Sequence, residues 1–262
     1  MPIARGGAVG DVLAGVRSRG RRIERFCYGL GAVLVCVGLF HLVVFVVDGG
    51  PWYGPVSWRK PATFGLSFGL TLAAVTWAAS YLPIGERGRA LLLGVFAADC
   101  VVEVGGITLQ AWRHVPSHLN RETAFNSAVS TVLAAGGAVL VVILGVLAVT
   151  SFRASPGVPA SMRLGLRAGF VSLMIGLATG AAMIARGAAE VGAGRQQQAY
   201  HDIGFLKPVH GVSLHGVLVL PALAWLSSRT AWDEARRTRV VAIAAGGYGL
   251  AVAAALAASL LR

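Results

Sequence analysis

The stretch VFAADCVVEVGGITLQAWRHVPSH, Val95 to His118, decides how this chain is read. It is apolar enough to cross a bilayer, yet it carries Asp99, Glu103, Gln110 and His114. A helix turns by about 100° per residue, so these four side chains fall within roughly 60° of one another. Ionisable groups are costly in hydrocarbon unless they face protein partners or water. One polar stripe on a greasy helix therefore looks into the protein, and it marks the expected site.

The rest of the chain agrees with a membrane setting. Mean hydropathy is +0.70 and only 13% of residues are charged, against about 25% in soluble domains. The formal charge of +12 would suit nucleic acid if it lay on one folded face. Here the basic residues sit in short clusters between apolar runs, the pattern of membrane topology, and no nucleic-acid partner is expected. Cys27, Cys36 and Cys100 all fall inside apolar segments and imply no disulfide framework.

The expected fold is all-α: a polytopic integral membrane protein, a seven-transmembrane helix bundle behind a basic tail at 1–25. Spans are expected at about 26–47, 61–82, 88–112, 124–150, 165–186, 209–227 and 238–261. Each is near or above the roughly 20 residues that cross the hydrocarbon. Arginines 5, 17, 19, 21, 22, 25, 87, 89, 153, 163, 167, 229, 236, 237 and 239 then share one side of the bilayer. Fewer basic residues are left for the other side. This bias points to a cytoplasmic N-terminus and an outside C-terminus, in a multi-pass protein of the plasma membrane. The outer connections at 48–60 and 187–208 are more than turns, and the second reads as a loop that could cover the outer mouth.

All six histidines fall on the outer half in this topology. At about 1.5 Å per helical residue, His41, Glu103 and His215 lie roughly 10–13 Å below the outer helix ends. They come from the first, third and sixth spans, with Asp99 a turn deeper. His114, His118, His201 and His210 would line the mouth. The only lysines, Lys60 and Lys207, both precede a proline at the outer start of a span. They read either as cationic hooks for an anionic head group or as snorkelling anchors. In His210-Gly-x-x-x-His215-Gly the two rings lie about 140° apart, so they serve different neighbours. Asn126, Ser130 and Thr131 of the fourth span can bond across helices.

Several functions fit this pattern. His41 and His215 could be the axial ligands of a haem b, with His210, Lys60 and Lys207 as further cofactor contacts. His41, Glu103 and His215 could hold zinc or iron as a two-histidine, one-carboxylate set. Glu103 and Asp99 could be the catalytic acid and base, tuned by burial and mutual repulsion, for a small hydrophobic or amphipathic ligand. A proton-coupled carrier or sensor could use the same stripe as a relay. Packing alone could also explain the polar groups. Beyond Asp99 the third span has no polar side chain before the basic connection. The inner half looks closed, which favours a site over a pore.

Overall fold

The computed structural model describes residues 21–261, and these form nine helices and no strand. They are α1 (Arg22–Asp48), α2 (Arg59–Ala79), α3 (Glu86–Trp112), α4 (Ala124–Ser151) and α5 (Ala160–Gly192). There follow α6 (Gln196–Asp202), α7 (Lys207–Leu214), α8 (Gly216–Ser227) and α9 (Glu234–Leu260). Seven segments are long and apolar enough to cross a membrane: α1 to α5, the α7–α8 pair over Lys207–Ser227, and α9. The chain is thus an all-α, multi-pass membrane protein. Of the basic tail, Arg5, Arg17 and Arg19 lie outside the described residues, as does Arg262.

Most of the spanning helices begin a few residues before the expected apolar runs, and polar groups hold three of the helix starts. Thr123 accepts from the Asn126 N–H at 3.1 Å to start α4, and Asp233 accepts from the Arg236 N–H at 2.8 Å to start α9. The first turn of α5 is held from outside, where the Ser161 N–H donates to Glu234 at 2.8 Å. The expected long connection at 187–208 is mostly helical: α5 runs on to Gly192 and α6 forms at Gln196–Asp202.

The sixth span is broken. The His215 ring nitrogen Nδ1 donates to the Gly211 carbonyl at 2.6 Å, the oxygen that the His215 backbone N–H would use in a regular helix. That N–H turns to Val212 instead, at 3.3 Å. A side chain competing for the i−4 carbonyl is a recognised cause of helix breaks.

Five spans, α2, α3, α4, α5 and α7–α8, close a ring in which each touches the next. Outside it, α1 lies against α2 and α3, while α9 lies against α5, α7 and α8. The core inside is apolar: Leu72, Val75, Leu93, Phe96, Leu144, Leu147, Phe170 and Leu173 are fully or almost fully buried. Where α1 crosses α2 the backbones touch through glycines. A Cβ built on Gly38 would lie 2.6 Å from Leu66 N, and one built on Gly69 would lie 2.6 Å from Gly31 O. Small residues let membrane helices approach in this way when hydrophobic drive between them is weak.

The two ends of the bundle differ. One carries the 49–58, 113–123 and 193–206 connections and the end of α9; it is called here the loop-rich end. The opposite end is stapled by Arg89, which is 2% exposed. Its guanidinium donates to the carbonyls of Ala79, Leu82 and Ile84, which close α2, and stands 3.7 Å from Glu24 of α1.

Candidate functional site

Asp99 and Glu103 are 7% and 4% exposed, one turn apart on the face of α3 that packs on α4. Opposite them stands Gly136. Asp99 Oδ1 and Glu103 Oε1 each lie 2.7 Å from the point where a Cβ on Gly136 would sit. The missing side chain is the space the two carboxyl groups occupy. Asp99 Oδ2 is buried and finds no hydrogen-bond partner among the described residues. Buried polar atoms without partners are rare and call for an explanation.

Toward the loop-rich end a second polar layer lies in the same α3–α4 seam. The Gln110 amide donates to Asn126 at 3.2 Å, and Arg113 donates to both Gln110, at 2.5 Å, and Asn126, at 2.7 Å. Between the layers, Leu133 packs on Gly106: a Cβ there would lie 2.9 Å from the leucine Cδ2. Leu133, with the buried Ile107 of α3, lies between the acid pair and a polar chain ending at the surface. On the other side of the pair come Cys100, Phe96 and Leu93, all buried and apolar.

The connection 113–123 is a built structure. His114 and Leu119 adopt the left-handed region, at φ 52° and 61°, which a non-glycine residue holds only when its surroundings impose it. Ser130 Oγ accepts from the Asn120 N–H at 3.1 Å and lies 3.3 Å from the carbonyls of Ser117 and Asn120. Lys60 Nζ donates to Ser117 Oγ at 3.2 Å, and that hydroxyl is hydrogen-bonded to His118 Nδ1 at 3.0 Å. Burial, followed by the nearby Lys60 charge, pushes the His118 imidazole down to about 3. The ring beside Ser117 is therefore neutral. A serine between an ammonium and a neutral imidazole is a polarised hydroxyl. Ser117 is buried, so in this state the chain Lys60–Ser117–His118 anchors the loop to α2. Ser117 and Asn120 were not singled out by the spacing of residues. The only hint was a polar run, Ser-His-Leu-Asn-Arg-Glu-Thr, between two apolar spans.

The histidines do not assemble as matched depth suggested. His41 is buried against Trp58 and Trp112, and both its ring nitrogens are hydrogen-bonded, to Val37 O and to the Trp112 indole. His210 docks α7 on α5, with Nδ1 2.7 Å from Gly176 O and the ring over Gly180. His215 sits exposed at the α7–α8 joint, in a small cleft with Ser67 and Thr71 of α2. Among the described residues no three of His, Cys, Asp and Glu are grouped as a metal ion would need. The zinc or iron set of His41, Glu103 and His215 is therefore not brought together. The haem b ligation by His41 and His215 finds no support either. Equal depth places groups in one layer; it does not turn them toward one another. The lysines also part company: Lys60 is engaged with Ser117, and Lys207 lines a surface groove.

No protein-family model, no curated protein and no solved structure matches the chain.

Proposed function

We propose that this multi-pass membrane protein works through a one-sided acid–base site, with Asp99 and Glu103 as the proton-holding pair. The observation that carries this reading is the convergence of both carboxyl groups on the space left by Gly136, with no ion pair to either among the described residues. Two carboxylates facing one gap out of water repel each other, so the pair is favoured when it holds a proton. The polar layer of Gln110, Asn126 and Arg113 lies on the side from which a proton or a small lipid-soluble molecule would come. The apolar residues on the other side argue for a site, and against a path through the bundle. In this reading the loop-rich end faces outward from the plasma membrane, as the arginine distribution suggests.

Infrared spectroscopy of the purified protein tests the pair directly. The wild type should show the carbonyl band of a buried protonated carboxyl group at neutral pH. Glu103→Gln and Asp99→Asn should each abolish or shift it while the helical content stays intact. A spectrum without that band, or one unchanged in both variants, removes the acid–base reading.

A further inference from the structure

The groove at the loop-rich end, about 700 Å³ in volume, is walled by the start of α2, the 49–58 connection, α5, α6, the start of α7 and the end of α9. Three of its side chains are cations from three different helices: Arg59 of α2, Arg186 of α5 and Lys207 of α7. Its acidic group is Asp202, which stands 3.8 Å from Arg186. The positions of the cations are set by other contacts. Arg59 donates to Trp52 O at 2.8 Å and lies over the Tyr53 ring, and Arg186 lies 4.7 Å from the Phe205 ring centre. Lys207 folds toward Gly204, with no carboxylate in ion-pair range among the described residues. Like charges gathered without matching acids repel one another and are stabilised by an anion. The groove also opens beside Leu260, whose side chain is exposed at the end of the spanning helix α9. That is the level at which lipid head groups meet a helix bundle, with apolar surface directly below.

We propose that this groove binds the net-negative head group of a membrane amphiphile, a phosphate or carboxylate without an ammonium of its own, with Arg59 and Lys207 as its main cationic contacts and the acyl chain lying along α9. The site is separate from the acid pair and does not depend on it. Phosphate and carboxylate share the chemistry that Arg and Lys recognise, planar and bidentate for Arg and a point charge for Lys. A freely dissolved anion would need the same cations. It would gain nothing from the neighbouring apolar wall.

Native mass spectrometry of the full chain, released from nanodiscs of phosphatidylglycerol mixed with phosphatidylcholine, tests this. Wild type should retain the anionic lipid selectively. Lys207→Gln and Arg59→Gln should each lower that retention about fivefold, the effect of one cation near a membrane surface. Asp202→Asn should raise it by a similar factor, a gain that misfolding cannot mimic. Arg236→Gln, at the opposite end of the bundle, should leave it unchanged. Equal retention of the two lipids, or indifference to all three groove substitutions, overturns the proposal. So does displacement of the lipid by inorganic phosphate alone, which would make the groove a site for soluble anions.

Discussion

The Trp112 indole donates its N–H to Nε2 of His41 at 3.1 Å, tying the end of α3 to the middle of α1. An indole nitrogen can only donate, so Nε2 of His41 must be the acceptor and Nδ1 must carry the proton it gives to Val37 O at 2.8 Å. Both ring nitrogens are thus engaged inside the bundle. Its role is to join helices. His41→Ala should therefore lower stability by about 2 kcal/mol, through one lost cross-helix bond and one stranded indole. Thermal unfolding in detergent measures this, and an unchanged melting temperature would show the bond to be idle.

Gly136 and Gly137 are neighbours in sequence and opposites in space. A Cβ on Gly136 collides with Asp99 and Glu103, whereas nothing lies within 4 Å of one on Gly137. Gly136→Ala should cost about 1–3 kcal/mol by displacing the acid pair. Gly137→Ala should be neutral or slightly stabilising, since alanine favours helix over glycine. Parallel melts of the two variants decide it; equal effects would place the carboxyl groups elsewhere.

Arg89 is the only described link between Glu24 and the carbonyls at the end of α2. Arg89→Met leaves buried Glu24 with Arg21, at 3.1 Å, as its remaining cation, and takes from the Ile84 carbonyl its described donor while the Ala79 and Leu82 carbonyls keep backbone N–H partners, a loss of about 2–3 kcal/mol. Adding Glu24→Gln should recover part of that loss, because an uncharged amide tolerates burial better. A double-mutant cycle on unfolding free energies checks it, and strictly additive losses would argue against coupling.

His118 makes stability depend on pH. Its imidazole has an ordinary value of 6.5 and is held at about 3 in the folded protein. Between those values the unfolded chain takes up a proton that the folded chain refuses. The contribution is complete above pH 6.5 and is lost as the pH falls through that window, by at most about 1.4 kcal/mol per unit. His118→Asn should flatten this part of the stability profile. An identical acid profile in wild type and variant would reassign the dependence to other groups.

The spans were legible because each is a long apolar run between arginines. The burial of Asp99, Glu103 and Gln110 was legible for the same reason: a polar stripe on such a run has only one tolerable direction. His114 shared the stripe by arithmetic but left it in space, since the helix stops at Trp112 and His114 turns into a left-handed conformation. The partner of the acid pair could not be read. It is a glycine, one of 35 in the chain, and its meaning lies in an absent side chain. Nor could the direction of His41 or His215 about its own helix be told from depth. The break at His215 follows from a ring bonding its own helix, a local competition that hydropathy does not register.

The glycine crossing between α1 and α2 bears on how the bundle can move. Two backbones in direct contact have no side-chain rotamers between them to readjust, so this hairpin shifts as one stiff beam or not at all. A shift of α1 against the rest of the bundle therefore carries α2 with it, and with α2 the Lys60 that holds the 113–123 connection through Ser117.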